Sequence, residues 1–138
     1  MKNLLIIGGS GQLGRTVLHT FKTKTPNWNA YNIDFKENKE AVANYKLDDK
    51  WKSNPDLVSI IQKKFNNLNF DCIVNVAGGF QMEGLSSKRV IISTEEMMNM
   101  NLYSSILASH MATQYLNKKS LLILTGAFYI YEKNNPSK

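Results

Sequence analysis

Short apolar runs alternate with amphipathic segments along the whole chain, and this alternation is the strongest structural signal in the sequence. The segment Asn3–Ile7 carries an unbroken run of leucine and isoleucine, of the kind that is buried on both faces of a parallel sheet. Similar runs later in the chain predict four more strands, at Trp28–Phe35, Ala43–Leu47, Phe70–Val76 and Leu121–Thr125.

Between these runs, apolar residues recur at helical spacing. One helix is predicted from Gln12 to about Phe21, and a second is predicted over Asp56–Asn66. Ser93-Thr-Glu-Glu96 has the form of a capping box, and it is expected to open the longest helix, which runs to about Asn117. Strands that alternate with helices in this way predict an α/β fold with a Rossmann-type, doubly wound parallel sheet. In the strand order 3-2-1-4-5-6 of such sheets, a chain that stops after the fifth strand leaves that strand at an edge.

Length, charge and cysteine content narrow the class of protein. A chain of 138 residues is expected to form a single domain, residues 1–138, with an incomplete sheet of about five strands, because it is short for a complete doubly wound enzyme. The net charge of +6 comes from lysines scattered among acidic residues, so nucleic acid is not an expected partner. No metal ion is expected either, because His19 and His110 each stand alone on predicted helices, without Cys, Asp or Glu at metal-ligand spacing. The single cysteine, Cys72, and the lack of a membrane-length apolar run predict a cytoplasmic protein without membrane association.

The segment GGSGQLG lies directly after the first predicted strand and opens the first predicted helix. Its glycines permit a tight turn and let the backbone approach a dinucleotide pyrophosphate, while the N-terminus of the helix offers free N–H groups to the phosphates. An ordinary glycine-containing turn is the alternative. The strand–turn–helix context favours cofactor binding, and it assigns contacts to Gly8, Gly9, Ser10, Gly11, Gln12, Leu13 and Gly14.

Residues at the ends of later strands belong to the same predicted site. Asp34, followed by Phe35, ends the second strand, where a carboxylate would bind the adenosine ribose and repel a 2′-phosphate, so that NADH is preferred to NADPH. Lys36 is close enough to weaken that preference, which leaves NADPH open. Asp48 ends the third strand and either bonds the adenine amino group or belongs to a surface turn. After the fourth strand come residues small enough for a cofactor to lie against the backbone, namely Ala77, Gly78 and Gly79.

Taken together, the glycine loop, Asp34, the segment Asn75–Gly78 and the pair Asn101-Leu102 resemble the ordered signature of the short-chain dehydrogenase/reductase family. The segments GGSGQLG, VAGGF, LYSSILASHMATQYL and LLILTGA are similar to those of one branch, the quinonoid dihydropteridine reductases, and the likeness extends to about Ala127. The resemblance implies an NADH-dependent reductase with a pteridine substrate, which regenerates tetrahydrobiopterin from its quinonoid dihydro form. It also implies a homodimer in the complete form.

The resemblance assigns a catalytic role to Asn101, because members of the family have an asparagine there that orders a helix and a proton-relay water. An asparagine on the helix surface is the alternative. The catalytic serine that many members carry after the fifth strand is absent, since the sequence reads Thr125-Gly126 at that point, as in the pteridine reductases. Two other functions stay open: a short-chain reductase of another carbonyl substrate, and a Rossmann module that binds a dinucleotide without turnover.

Tyr129 and Lys133 have the spacing of the family's catalytic Tyr-x-x-x-Lys pair. In the family that pair lies well beyond the fifth strand, at the start of a long helix, whereas Tyr129 lies within the β-prone segment Phe128–Tyr131. An extended segment would also hold the two side chains too far apart for the lysine to lower the pKa of the tyrosine. We therefore interpret the spacing as coincidental, and we expect the chain to lack its catalytic tyrosine and lysine and to be inactive alone.

Overall fold

The computed structural model describes residues 1–126, in which five strands form one parallel sheet. The strands are β1 (Lys2–Ile7), β2 (Trp28–Asp34), β3 (Ala43–Lys46), β4 (Phe70–Asn75) and β5 (Leu116–Leu124). Their order across the sheet is β3-β2-β1-β4-β5, and every neighbouring pair is parallel. The chain order therefore reverses between β1 and β4, at the point where doubly wound sheets bind their ligands.

Helices connect the strands and complete the predicted architecture. They are α1 (Gln12–Lys24), α2 (Leu57–Lys64), α3 (Val90–Met98) and α4 (Ser104–Tyr115). A short 3₁₀ turn, Trp51–Ser53, precedes α2, and a π-helix, Asn99–Tyr103, joins α3 to α4. This arrangement confirms the predicted α/β fold with a doubly wound parallel sheet. Among residues 1–126, no helix combines the length and the apolar character that crossing a membrane requires.

The core lies on both faces of the sheet, because successive residues of a strand point to opposite sides. On one face, under α2 and α4, a cluster contains the aromatic rings of Tyr31, Phe65 and Phe70. The ring of Tyr31 lies 5.3 Å from that of Phe65 and 5.8 Å from that of Phe70, and burial raises the pKa of its hydroxyl. The other face, under α1, carries a smaller cluster made by Leu4, Ile6, Leu18, Ala30, Cys72 and Val74.

Asp71 of β4 joins three strands near the N-terminal end of the sheet. Its carboxylate accepts the backbone N–H of Asn3 at 2.8 Å and a side-chain N–H of Asn117 at 3.0 Å. The hydrogen bond from Asn3 is the main reason that the pKa of Asp71 lies below its usual value. The next residue, Cys72, is a buried free cysteine, and burial raises the pKa of its thiol, so it is a core residue poorly suited to act as a nucleophile.

The predicted start of the longest helix is wrong. α3 begins at Val90, so Ser93 lies inside the helix, where it is buried and cannot act as its N-cap. The predicted helix is also divided by the π-helix Asn99–Tyr103. In addition, β5 begins at Leu116, earlier than the predicted Leu121. The polar first half of this strand pairs irregularly with β4 and includes Lys119 at a positive φ of 61°. The other predicted elements are present, with ends that differ by a few residues.

Tyr129, Lys133 and the segment Phe128–Tyr131 lie outside the described residues. The interpretation of their spacing therefore stays a prediction.

Candidate functional site

The glycine loop between β1 and α1 is fixed by close packing at both of its ends. Gly8 has a positive φ of 87°, which few residues other than glycine adopt, and a Cβ there would lie 2.5 Å from the backbone nitrogen of Ala77. Gly14 lies against the loop, and a Cβ on it would collide with the carbonyl oxygen of Gly8 and the Cα of Gly9. Glycine at these positions therefore lets the chain turn tightly and lets α1 pack close to the end of β1.

Gly11 has a different environment from these glycines. It is the N-cap of α1, with an extended backbone (φ −71°, ψ 175°), and the nearest atom that a Cβ would meet is the Gly8 carbonyl oxygen at 3.4 Å. As a glycine it supplies no side-chain cap, and the first turn of α1 contains no acidic residue, so the N–H groups of that turn are left for an external acceptor. The packing of the protein does not require glycine here, and the bare backbone leaves room for an anionic ligand to approach.

Three asparagines hold the glycine loop in place against the sheet. The buried Asn32 of β2 accepts the Gly9 N–H at 3.0 Å, and Asn38 donates a side-chain N–H to the Gly9 carbonyl oxygen at 2.7 Å. Asn44 of β3 accepts a side-chain N–H of Asn32 and the backbone N–H of Asn38, each at 2.9 Å. Both backbone polar groups of Gly9 are thus bonded to side chains from the β2–β3 region, which fixes the loop relative to the sheet.

Asp34 lies at the C-terminal end of β2, next to the glycine loop. Its two carboxylate oxygens accept the N–H of Ser10 at 2.8 Å and the N–H of Phe35 at 2.6 Å. The Ser10 hydroxyl donates to the carbonyl oxygen of Lys36 at 2.5 Å, which joins the loop to the segment after β2. Because each carboxylate oxygen keeps capacity for a further donor, Asp34 can still bind a ligand hydroxyl in this orientation.

A first cleft, of about 340 Å³, lies over the C-terminal ends of the strands where the chain order reverses. The predicted cofactor residues that line it are Gly8, Ser10, Gly11, Asp34, Phe35, Ala77 and Gly78. Further lining comes from Leu47, from Trp51, and from Asn99 and Met100 of the π-helix. These last residues belong to no motif in the sequence, and only the fold brings them to the site.

The other predicted cofactor residues do not line the first cleft. Gly9 is packed within the loop and Gly14 is packed against it from the first turn of α1, where Gln12 and Leu13 are exposed. Asp48 accepts the backbone N–H of the residue two positions on at 2.8 Å, which is the local hydrogen bond of a turn. This geometry agrees with the surface-turn alternative for Asp48, and a contact of Asp48 with adenine stays a prediction.

A second cleft, of about 730 Å³, continues from the first past the end of β4. The two clefts share Val76, Ala77 and Gly78, so they meet at this point. Gly79 and Asn101 line the second cleft together with mostly apolar residues, among them Phe80, Met97, Met98, Leu102 and Thr125. An extended ligand can therefore run from Asp34 past Gly78 to Asn101.

Asn101 lies in the π-helix and is bonded to the segment after β4. Its side chain donates to the carbonyl oxygens of Gly79 at 2.9 Å and Met97 at 3.0 Å, and its Oδ1 accepts the Gly79 N–H at 3.3 Å. A Cβ on Gly79 would lie 2.5 Å from the sulfur of Met100, so the flexible Met100 side chain would have to move to admit one. Asn101 thus orders the helix and the wall of the second cleft, at a π-helical turn of the kind often found at functional sites. Its part in a proton relay stays a prediction.

The chain is similar to a dihydropteridine reductase from Dictyostelium discoideum, with 37% identity over 127 residues, which is 91% of this chain and 53% of that protein. Among solved structures, a short-chain dehydrogenase family protein from Francisella tularensis is similar with a TM-score of 0.71 and 22% identity, over 92% of this chain and 51% of that one. A short-chain dehydrogenase/reductase from Serratia marcescens is similar with a TM-score of 0.66 and 17% identity, over 88% of this chain and 55% of that one. The chain is therefore similar to a dihydropteridine reductase in sequence, and it has the fold of short-chain dehydrogenases/reductases.

The likeness in sequence is to dihydropteridine reductase, at 37% identity over most of this chain. The two solved structures are only 22% and 17% identical to this chain, so they support the fold alone. The chain spans about half the length of the relatives that it matches. No protein-family model matches it.

These resemblances imply a nicotinamide dinucleotide cofactor, and the described residues fit one. Gly11 leaves open space at the N-terminus of α1 for a pyrophosphate, Asp34 offers acceptors for a ribose, and the joined clefts suit a long ligand. Among residues 1–126 there is no group of three His, Cys, Asp or Glu side chains that would hold a metal ion.

Proposed function

We propose that the chain is the cofactor-binding part of an NADH-dependent dihydropteridine reductase, which regenerates tetrahydrobiopterin from quinonoid dihydrobiopterin. The observation that carries the proposal is that one cleft combines the open N-cap Gly11 with the Asp34 carboxylate, in a chain that is 37% identical to a dihydropteridine reductase. When bound, NADH supplies the hydride for the reduction.

Each part of the cofactor then has a place along the two clefts. The N–H groups at the start of α1 would bind the pyrophosphate, and Asp34 would bind the adenosine ribose. Ala77 and Gly78, which line both clefts, would let the cofactor pass towards the second cleft. There Asn101 stands beside apolar side chains, including Phe80, that suit flat rings such as nicotinamide and a pterin.

NADH is the preferred cofactor in this proposal, and NADPH is a weaker one. The Asp34 carboxylate would repel a 2′-phosphate, but Lys36 lines the same cleft. Arg15 and Lys39 line a neighbouring cleft that shares Ser10 and Lys36 with it. These cations would offset part of the repulsion, so we expect a preference for NADH and not an exclusion of NADPH.

Asp34→Ala is expected to narrow the preference for NADH over NADPH. NADH would lose charge-assisted hydrogen bonds worth roughly 1.5–3 kcal/mol, or about ten- to a hundredfold in affinity. NADPH would lose less, because the repulsion of its 2′-phosphate disappears at the same time. Calorimetric titration with both dinucleotides measures the ratio, with Asp49→Ala as the exposed control. A mutant that kept the full preference would show that Asp34 is not the ribose ligand, and a parent chain that bound neither dinucleotide at millimolar concentration would refute the cofactor proposal.

The 138-residue chain is expected to bind NADH without reducing quinonoid dihydropterin above the uncatalysed rate. The reason is that the spacing of Tyr129 and Lys133, which we interpret as coincidental, would not place a proton donor beside the nicotinamide. Tyr129→Phe should therefore leave the rate of NADH oxidation unchanged, while the reductase from Dictyostelium discoideum serves as the active control in the same assay. If the chain reduced the substrate and Tyr129→Phe abolished that activity, the interpretation of the spacing as coincidental would be wrong.

We also propose a homodimer for the full-length form and a cytoplasmic location. Support for the homodimer comes from apolar side chains that stay exposed along α3, the π-helix and α4, among them Ile92, Leu102 and Ile106. Support for the location comes from the single, buried Cys72, which is typical of a reducing compartment.

A further inference from the structure

Trp51 is a large aromatic residue in the first cleft to which the proposed function gives no role. It belongs to the 3₁₀ turn Trp51–Ser53, is partly buried, and packs against the larger core cluster. The other aromatic residue of this cleft, Phe35, directly follows Asp34 and is 48% exposed. Of the two aromatic side chains in this cleft, Trp51 is therefore the one that packing against the core holds in place.

The next residue, Lys52, fastens this turn to α3 and the π-helix. Its Nζ donates to Oδ1 of Asn99 at 2.7 Å, lies 3.6 Å from a carboxylate oxygen of Glu95, and lies 5.5 Å from the centre of the Tyr103 ring. Asn99 lines the same cleft as Trp51. Lys52 thus bridges two segments that line the cleft, and it limits how far they can move apart.

The order of the strands decides which part of a dinucleotide reaches Trp51. A ribose at Asp34 lies at the end of β2, and the nicotinamide half runs from there towards β4, past Gly78. The adenine must then lie on the opposite side of Asp34, towards β3, which is the neighbour of β2 at the edge of the sheet. The lining residues that lie between β3 and α2 in the chain are Leu47 and Trp51.

We propose that Trp51 is the surface on which the adenine ring of the cofactor stacks, and that the hydrogen bond from Lys52 to Asn99 holds this surface in position. Every purine has a flat π-face, and stacking of a base on an aromatic side chain needs no specific hydrogen bond. The assignment rests on the proposed function, because it requires an adenine dinucleotide in the first cleft. It adds that the adenine half alone, as ADP, binds there, whereas nicotinamide mononucleotide does not touch Trp51.

Intrinsic fluorescence tests this contact directly, because the chain has only two tryptophans. Trp28 packs on Phe21, with ring centres 5.4 Å apart, in the smaller core cluster on the other face of the sheet. Trp28→Phe therefore leaves Trp51 as the sole tryptophan. In this variant ADP is expected to quench the tryptophan emission, and nicotinamide mononucleotide is expected to leave it unchanged. ADP is the better probe than NADH, because reduced nicotinamide absorbs tryptophan emission wherever it binds nearby.

Affinity measurements test the energetic part of the proposal. Trp51→Ala should weaken the binding of ADP and of NADH by the same factor, roughly five- to 150-fold for the loss of one stacked base, and Trp51→Phe should restore most of the loss. Lys52→Ala should weaken both ligands by a smaller factor. Lys50→Ala, at an exposed position beside the same turn, is the matched control and should change neither.

The outcomes separate this inference from the proposed function. Failure of the unaltered chain to bind NADH in calorimetry would overturn the proposed function. NADH binding that Trp51→Ala leaves unchanged would overturn only the role of Trp51, and so would ADP binding without quenching in the Trp28→Phe variant. A loss of ADP affinity in Phe35→Ala, with none in Trp51→Ala, would move the adenine to Phe35. If Trp51→Ala does not fold, the quenching experiment still decides, because it keeps Trp51 in place.

Discussion

Alanine at Gly14 is expected to destabilise the fold by at least about 3 kcal/mol, a large part of the roughly 5–15 kcal/mol that stabilises a typical domain. The new Cβ would overlap the Gly8 carbonyl oxygen and the Cα of Gly9. These are backbone atoms, so they cannot move aside without displacing the end of β1 or the start of α1. The better helix propensity of alanine returns only about 1 kcal/mol. Urea denaturation of the parent and the variant measures the difference.

Gly11→Ala is the matched control, because it makes the same chemical change three residues away in the same glycine motif. Its Cβ would meet only the Gly8 carbonyl oxygen, at 3.4 Å, so the free energy of unfolding should fall by no more than about 1 kcal/mol, the cost of a poorer N-cap. The affinity for NADH should nevertheless fall by about tenfold or more, because the methyl group takes the space in which the pyrophosphate approaches the backbone.

The two alanine variants therefore separate two reasons for having glycine in this motif. Equal destabilisation by both would contradict the packing argument for Gly14. Unchanged NADH affinity in Gly11→Ala would contradict the argument that Gly11 is kept open for a ligand. The affinities of the parent chain for ADP-ribose and for NADH, measured separately, show by their difference whether the nicotinamide half adds to the affinity that the loop provides.

The sequence predicted the fold and the position of the loop because both depend on patterns within short stretches. Apolar runs such as Leu4 to Ile7 mark buried parallel strands, and the position of the glycine motif directly between such a strand and a helix favours dinucleotide binding over an ordinary turn. The structure places Asp34 beside Ser10 at the end of β2, next to that loop, where the motif predicted an acid. Its contact with a ribose is a consequence that only ligand binding can test.

Other parts of the site could not be predicted, because they depend on contacts between distant residues. Asn32 is one of three polar residues in β2, and only the fold shows that it is buried and bonds Gly9 and Asn44. Likewise, nothing near Lys52 in the sequence indicates that it reaches Asn99. Polar pairs of this kind have no periodicity, so neither hydrophobic pattern nor motif spacing detects them.

The error at Ser93 has a different cause. Ser-x-x-Glu is a capping box only when the serine stands outside the helix, and the same residues are compatible with a helix interior. Here the apolar residues Val90, Ile91 and Ile92 extend the helix towards its N-terminus, so Ser93 becomes a buried residue of α3. Local motifs of helix ends are weaker evidence than the helical run in which they lie.

The 138-residue chain is expected to self-associate through β5 at tens of micromolar, despite its net charge of +6. Among residues 1–126, β5 is the edge strand of the sheet, with β4 on one side. Leu121, Ile123 and Leu124 of this strand are 55%, 40% and 45% exposed, and no charged residue lies between Leu121 and Tyr131. Unpaired backbone groups beside apolar side chains are a template for pairing with another chain.

Ile123→Lys is expected to shift the chain towards a monomer, because a lysine on an edge strand makes pairing with a second strand costly. Ile60→Lys is the matched control: Ile60 lies on α2, away from the edge, and its exposure of 39% is close to the 40% of Ile123. Both variants add the same charge, so a difference between them in size-exclusion chromatography with light scattering reports on the edge itself. An equal shift in both would assign the effect to net charge, and a sharp monomeric peak for the parent chain would show that the edge of β5 is already protected.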